Sequence, residues 1–371
     1  MPTPGLTGSR CGGVYLTGAT ALLADSIVSS NRAGSASSGG GIYVAWSGIV
    51  TNSVIDNNRA LYGGGVATVC SYTSPGDGRP ALLACTISNN VAGVPDGTTG
   101  NGGQGGGVRT ANFLLIDRCI ITHNQVRASN SETYGAGAQL GPGSRVLNST
   151  ISANKNVGNC YGGGLAIAYA GIICSNCCIR ENAASYGGGV YMSETALLVD
   201  SRVFGNSGNP GGAFMQGGSM RNTLVAFNQR GIWGYSSPAS TYQNCTIASN
   251  SIYGVQFNVP GTLENCIVYA NGGSNWSYAG TGSGTTWTNC CTVPLPGGAT
   301  DAGNIQSDPL FVDFTGFEFG LRGNSPCIDN GVYRDWMAGA RDLAGDLRIR
   351  GEAVDMGAFE YLASGTVLAL R

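Results

Sequence analysis

A heptapeptide, Asn-Ser-Thr-Ile-Ser-Ala-Asn at residues 148–154, recurs in degraded form through most of this chain. Copies aligned on their first residue, here called the anchor, follow one another at intervals of 21 to 34 residues. A period of that length is typical of solenoids, in which each repeat forms one coil that packs on its neighbours. The eleven anchors are Asp25, Asn52, Ala84, Arg118, Asn148, Asn176, Asp200, Asn222, Asn244, Asn265 and Asn289.

The residues around each anchor alternate in a way that predicts strands. The position after the anchor holds Ser, Thr or Cys, and the third position after it holds Val or Ile in the first ten copies. Alternation with β-branched residues on the inner side is typical of strands and not of helices. The residue two positions before the anchor is also apolar, which breaks the parity. We therefore expect a bend at the anchor, where Asn or Asp tolerates left-handed geometry.

An asparagine stands six positions after the anchor in ten successive copies. A buried Asn in one coil can hydrogen-bond its equivalent in the next, so the pattern predicts an asparagine ladder along the stack. Strands ~4.8 Å apart in eleven coils predict a rod roughly 50 Å long. The ladder residues are Asn31, Asn58, Asn90, Asn124, Asn154, Asn182, Asn206, Asn228, Asn250 and Asn271.

Glycine triplets lead a further strand in several coils, as at 39–43 and 187–190. Glycine permits the close backbone approach and the positive φ of a tight corner. A phosphate-binding loop is not favoured, because no helix-forming stretch and no Gly-Lys-Ser/Thr follows the glycines. Tyrosines directly precede the triplets and are predicted to stack on one another; they are Tyr62, Tyr134, Tyr161 and Tyr186.

These signatures resemble the repeats of pectate-lyase-like β-helices, including the polymorphic outer-membrane-protein repeats of bacteria. The resemblance covers about residues 10 to 295 and implies an all-β fold. The expected architecture is a single-stranded right-handed parallel β-helix of about 11 coils over residues 1–295, followed by a C-terminal cap. Such a scaffold hosts lyases, hydrolases, adhesins and passive stalks, so the resemblance implies no single activity.

The C-terminal segment, residues 296–371, carries a different set of motifs at 304–313, 324–331 and 354–361. These motifs closely resemble the choice-of-anchor Q region that follows β-helix repeats in secreted and surface proteins of bacteria. That resemblance implies a location and no activity. We expect this segment to cover the open edge of the last coil.

Composition excludes some classes of protein. Charged residues make up only 11% of the chain and the net charge is −2. Neither the repeats nor the C-terminal segment is basic enough to suggest a nucleic-acid partner. No apolar run is long enough to span a bilayer, and no signal peptide is recognisable. A repeat strand begins almost at once, so we expect a leader and an N-terminal cap to be absent from this chain. The predicted location is extracellular or on a bacterial cell surface, and the oligomeric state stays open.

Seven of the 13 cysteines fall at inward positions beside the anchors, namely Cys85, Cys119, Cys174, Cys177, Cys245, Cys266 and Cys290. We expect them to act as small buried hydrophobes, with disulfides inside that wall as the alternative. The Cys174-x-x-Cys177 spacing allows a metal site, but both residues face the interior, so no metal is predicted there. Cys291 faces outward and Cys327 belongs to the C-terminal segment, so a Cys291–Cys327 disulfide is predicted between cap and rod.

One corner of the predicted rod gathers ionisable residues that proton transfer would need. His123, the sole histidine, precedes a ladder asparagine, and Lys155, the sole lysine, follows the next one. Arg180 and Glu181 precede the ladder residue of the following coil. Stacking would bring all four within about 10 Å along the axis. They are the candidate catalytic residues, and the alternative is a solvated corner whose turns are simply exposed.

The loop 125–134, which carries Arg127 and Glu132, leaves the rod at the same corner. A base beside guanidinium groups is what proton abstraction next to a carboxylate needs, so Arg127 is a candidate for substrate binding. A second candidate is the outer face of the glycine strands, where Tyr191, Phe214 and Trp233 are consecutive. These rings are predicted either to form a platform for sugars or to cover the outer sheet.

Acidic residues of the C-terminal segment raise the possibility of calcium, with Asp342, Asp346 and Asp355 as oxygen ligands. No EF-hand or glycine-aspartate repeat is present, so aspartates that cap turns are the favoured interpretation. The sequence therefore predicts no required cofactor and no metal site.

Two functions remain open on these grounds. The first is a non-catalytic protein that presents a long face to an extracellular polysaccharide or a surface. The second is a polysaccharide-active enzyme, best described as a uronate lyase that acts by β-elimination. A glycosidase is less favoured, because the aligned strands show no stacked pair of acids, and Gly-x-Ser-x-Gly support for serine catalysis is lacking.

Overall fold

Parallel strands stacked along one axis form the body of the protein, and each repeat of the sequence adds one coil. The strands after the glycine triplets form a first sheet, and those before the anchors form a second. Two long strands, Val190–Val199 and Ala213–Arg221, run through both sheets and join them into one array of 20 strands. The computed structural model describes residues 11–18, 20–34, 37–69, 79–93, 103–127, 133–297 and 302–362.

Besides the two long strands, these sheets contain short strands of three to five residues. The first sheet has Val14–Leu16, Ile42–Ala45, Val66–Val69, Val108–Thr110, Ala138–Leu140, Leu165–Ile167, Ile232–Gly234, Tyr253–Phe257 and Ser274–Tyr278. The second sheet has Leu22–Ala24, Ile49–Thr51, Ala81–Leu83, Leu115–Asp117, Arg145–Leu147, Ile173–Ser175, Thr241–Gln243, Thr262–Glu264 and Thr286–Thr288.

The strands after the anchors form a third sheet of 11 parallel strands, which confirms the predicted number of coils. Its inward Val and Ile residues are fully or almost fully buried and build most of one wall of the core. The strands are Ile27–Ser29, Val54–Asp56, Thr86–Ser88, Ile120–Thr122, Thr150–Ser152, Cys178–Arg180, Arg202–Phe204, Leu224–Ala226, Thr246–Ala248, Ile267–Tyr269 and Cys291–Thr292.

The residues after the ladder asparagines form a short fourth sheet in the middle coils. Its strands are Arg59–Ala60, Val91–Ala92, Gln125–Arg127 and Lys155–Val157. The other elements are the strand pairs Thr133–Tyr134 with Cys160–Tyr161 and Phe311–Asp313 with Glu318–Leu321, and the 3₁₀ helices Gly282–Gly284 and Asp335–Met337. In the part of the chain described here, no helix is long and apolar enough to cross a membrane.

The bend predicted at the anchors is confirmed. All eleven anchors have φ between 46° and 54°, including Ala84 and Arg118, which lack the side chain that makes this geometry easy. A second left-handed residue, which the sequence analysis missed, stands directly before each ladder asparagine, as at Asn57, His123 and Glu181. Two such turns per coil leave room for only a three-residue strand between them, which is the length most strands of the third sheet have.

The asparagine ladder is also confirmed. The Oδ1 atom of Asn154 accepts the backbone N–H of Asn124 at 2.9 Å, and its Nδ2 atom donates to the carbonyl oxygen of Ile121 at 2.9 Å. The same contacts repeat from Asn31 to Asn271, so the ladder satisfies turn groups that each coil alone would leave unpaired.

The glycine corners bring the backbones of successive coils into contact. A Cβ atom on Gly40 would lie 2.2 Å from the carbonyl oxygen of Gly64, so no larger residue fits. The tyrosines before these corners stack only in part. Tyr134, Tyr161 and Tyr186 form a column with ring centroids 5.4 and 5.1 Å apart. Tyr62 is separated from that column because Gln104 occupies the coil between them.

The start of the C-terminal segment adds part of a further coil to the rod. Ile305 pairs in parallel with Cys291, and the Oδ1 atom of Asn304 accepts the N–H of Cys290 at 2.8 Å. The segment therefore covers the last edge of the third sheet, as expected for a cap, but only a few of its residues take part.

Most of the C-terminal segment instead folds back along the outer face of the third sheet. Phe319 and Met356 pack there against Leu224 and Ile267, which are outward residues of that sheet. Four consecutive anchors donate side-chain hydrogen bonds to backbone carbonyls of this segment, and they are Asn222, Asn244, Asn265 and Asn289. The cap thus lies on the side of the last coils and not mainly over their end.

The cysteines that the structure describes all have free thiols, including those of the inner wall. The Cys291 and Cys327 side chains are fully buried in the same cluster between cap and rod, where a hydrogen bond with the Cys327 thiol raises the pKa of Cys291. The structure therefore brings the predicted pair together, as two thiols and not as the predicted disulfide.

Candidate functional site

The four predicted catalytic residues lie on turns and strand ends along one edge of the rod. His123 and Glu181 have φ of 55° and 59° and occupy the left-handed position before the ladder asparagines. Lys155 begins a fourth-sheet strand, and Arg180 ends a third-sheet strand. Since these turns face outward, the side chains of His123, Lys155 and Glu181 are exposed.

These residues are spread along the axis at the spacing of the coils. His123 and Glu181 belong to the same column two coils apart, so their backbones are ~10 Å apart. The Arg180 guanidinium contacts the Glu181 carboxylate at 2.5 Å, whereas the His123 Nδ1 atom lies 2.9 Å from the Thr122 hydroxyl. No hydrogen bond joins His123 and Lys155 in this described stretch, so each of the two stands without a polar link to the other.

A row of outward residues runs beside this edge, one position after each ladder asparagine. We call it the fourth-sheet row. The parallel register places each member next to the following one in the neighbouring coil. Its members are exposed or half-buried, and they are Arg32, Arg59, Val91, Gln125, Lys155, Ala183 and Ser207.

An arginine-lined cleft of about 350 Å³ opens at the N-terminal end of this row. Arg32 and Arg59 line it from consecutive coils, with Val91 beside them. Arg127 lies two residues beyond Gln125 and also lines the cleft. Its Nε and Nη2 atoms donate to the Gln125 Oε1 atom at 3.2 and 3.1 Å, which fixes the guanidinium orientation.

Arg127 was predicted from the sequence for this region, whereas Arg32 and Arg59 were not. The signal was present in the same alignment, because Arg32, Arg59 and Lys155 each follow a ladder asparagine by one position. Glu132, named with Arg127, lies outside the described residues.

The predicted aromatic platform is not an open surface. Tyr191 and Phe214 are only 7% and 2% exposed, because the tyrosine column packs over them. The Tyr161 ring centroid lies 5.0 Å from that of Tyr191 and 6.0 Å from that of Phe214. Trp233 is half-buried and donates its Nε1–H to the Asn258 Oδ1 atom. The rings cover the outer sheet, which was the alternative interpretation, and Tyr191 and Phe214 have little ring face left for a sugar.

Comparisons with known proteins agree with this architecture. A family model described as right handed beta helix region matches residues 116–292. The crystal structure of pectate lyase Pel9A is similar over 96% of this chain and 97% of that chain, with a TM-score of 0.54 and 15% sequence identity. The chain has a right-handed parallel β-helix fold. No curated protein matches the sequence. At this identity the likeness to the lyase establishes the fold alone, and the resemblance of residues 296–371 to the choice-of-anchor Q region stays a prediction.

The aspartates considered as calcium ligands accept hydrogen bonds within the cap of this β-helix. The Asp342 carboxylate accepts the N–H groups of Ala344, Asp346 and Glu360. Asp355 likewise accepts two backbone N–H groups, and Asp346 forms an ion pair with Arg350. These carboxylates shape the turns of the cap, as the favoured interpretation held, and among the residues described no group of three or more His, Cys, Asp or Glu is arranged to hold a metal ion.

A fully buried arginine lies between the cap and the rod. The Arg348 guanidinium contacts the Glu360 carboxylate at 3.3 Å and is also attracted by Asp342 and Asp355. Three carboxyl groups thus share one cation in a buried site. Burial raises the pKa of Glu360 to about 8 and also raises the pKa of Asp355. Glu360 therefore binds a proton more tightly in the folded protein than in the unfolded chain.

This proton predicts how stability depends on pH. Because the folded state binds the Glu360 proton more tightly than the unfolded chain, where the pKa is about 4.5, the contribution is fully present below pH ~4.5 and is lost as the pH rises through ~8. Glu360→Gln mimics the protonated form, so its melting temperature should change less between pH 5 and 9 than that of the wild type. Exposed Glu318→Gln is the control, and an unchanged slope in Glu360→Gln would contradict the assignment.

Proposed function

We propose that this chain is an extracellular or cell-surface protein that binds a polysaccharide along one side of its β-helix and does not cleave it. The observation that supports this proposal is the distribution of polar and charged side chains. They follow one edge and the adjoining fourth-sheet row at the spacing of the coils. Such an arrangement provides repeated contacts to an extended polymer, and many weak contacts on one chain add up to useful affinity.

Cleavage requires a different arrangement. A lyase needs a base and a group that neutralises the substrate carboxylate, both within reach of one sugar. His123 instead contacts the Thr122 hydroxyl, and Glu181 is already paired with Arg180. The geometry therefore favours binding over the uronate-lyase alternative.

A panel of uronate, sulfated and neutral polysaccharides tests the proposal. Affinity electrophoresis should show retardation of the protein, and the absorbance of unsaturated products should stay flat during long incubation. A rise in absorbance that disappears in both Lys155→Ala and His123→Ala would replace the proposal with the lyase. Absence of retardation in every gel would contradict polysaccharide binding altogether.

A further inference from the structure

We propose that the cleft lined by Arg32, Arg59 and Arg127 binds the acidic groups, carboxylate or sulfate ester, of a linear polysaccharide that runs along the rod axis. The inference rests on the proposed function and adds the ligand's charge, its orientation and the residues that select it. It concerns the N-terminal half of the fourth-sheet row and not the corner that carries His123, Lys155, Arg180 and Glu181.

Positive charge is concentrated along this part of the rod. Four of the chain's 19 basic residues, the three cleft arginines and Lys155, lie in or beside this one row. None of the seven row residues is acidic. The carboxylate of Asp56, on the neighbouring third sheet, accepts from the Ser88 hydroxyl and the Asn89 amide, both at 2.8 Å.

The hydrogen-bond donors of the cleft also suit acidic groups. A guanidinium presents a planar fork of N–H donors that matches the two oxygens of a carboxylate or sulfate. Arg32 and Arg59 are register neighbours, so their backbones are ~4.8 Å apart along the axis. The small polar side chains of Ser30 and Asn57, hydrogen-bonded to each other at 3.2 Å, also line the cleft.

An extended polymer fits this cleft better than a small free anion. The cleft is open to solvent, and single ion pairs at exposed sites contribute little because water and salt screen them. In or beside the row, cations occur in the first, second, fourth and fifth coils, a span of ~19 Å at ~4.8 Å per coil. An extended polyanion lying on this row contacts several cations at once. Single-stranded nucleic acid fits less well, because the row contains no aromatic side chain for bases to stack on.

The experiment compares Arg32→Gln/Arg59→Gln with Arg145→Gln/Arg350→Gln, which removes the same charge from two other faces. Both variants and the wild type are run in gels containing polygalacturonate, chondroitin sulfate, neutral dextran or no polymer. In a separate assay, each protein is tested for binding to a labelled poly-dT oligonucleotide. Melting temperatures establish that each variant is folded. The cleft variant should bind the acidic polymers about tenfold more weakly than the control variant, and added salt should weaken all binding.

The outcomes separate the two proposals. Weaker binding of the cleft variant to polygalacturonate, to chondroitin sulfate or to both supports the cleft. Equal retardation of the two variants overturns the cleft while polysaccharide binding stands. Failure of the wild type to bind any polymer overturns the proposed function itself. Retention of poly-dT that depends on the cleft arginines, without retention in the polysaccharide gels, overturns the assignment of the ligand.

Discussion

Arg348→Met should destabilise the protein by ~3–5 kcal/mol, the usual consequence of removing one partner from a buried ion pair. Arg348 is 0% exposed, and its Nη2 atom donates to the carbonyl oxygen of Gly357. The same side chain contacts Glu360 and lies 3.4 Å from the Asn222 Oδ1 atom on the rod. Without it, three carboxyl groups remain in a buried site with no cation, and the cap loses its central contact to the β-helix.

Two measurements follow this loss. Denaturant unfolding should show the lower free energy of unfolding, and limited proteolysis should cut the cap segment at 302–362 faster. Arg350→Met is the matched control, since Arg350 pairs with Asp346 on the surface. Adding Glu360→Gln to Arg348→Met should recover part of the loss, because it removes one of the unpaired acids. Equal stability of Arg348→Met and the wild type would show that the cap is not docked as described.

Asn154→Ala should give the second large effect, about 1–3 kcal/mol for each buried group left unpaired. Asn154 accepts the backbone and side-chain N–H groups of Asn124 and donates to the Ile121 carbonyl. It also donates to Asn182 in the next coil. The substitution thus interrupts the ladder in the middle of the stack, where no neighbouring side chain replaces these bonds.

Thermal unfolding measures this effect, with Asn159→Ala as the control. Asn159 lies in the same coil and is exposed, so its removal should leave the melting temperature nearly unchanged. If Asn154→Ala melts like Asn159→Ala, the ladder does not support the rod.

The sequence predicted well those parts of the fold in which the same residue type recurs at the same position of most repeats. The anchors and the ladder asparagines recur in the same position, and each has a backbone requirement that few residues meet. Even Ala84 and Arg118, which carry neither Asn nor Asp, adopt the left-handed bend because the coils on either side impose it. The number of coils followed from the same alignment.

Other features depend on which columns of stacked side chains pack against each other, and the repeat pattern does not specify this packing. The alignment placed Tyr191 and Phe214 on the outer face correctly, but it contained no information that the tyrosine column folds over them. The path of the cap was missed for a similar reason. Its docking surface consists of outward residues such as Leu224 and Ile267, which belong to one side of the rod and not to its end.

The arginine cleft was missed for a third reason. Candidate site residues were chosen from the sequence because their residue types are rare in this chain. His123 and Lys155 stood out because each is unique in the chain, whereas Arg32 and Arg59 belong to a common residue type. Register, and not rarity, brings side chains together in a solenoid.

Binding without cleavage is tested most directly by titration calorimetry with a size-defined acidic oligosaccharide, followed by mass spectrometry of the recovered ligand. We expect a heat of binding that falls as salt is added, with every ligand molecule recovered at its original length. Shortened ligand with unsaturated ends, or no heat of binding with any acidic oligosaccharide, would contradict it.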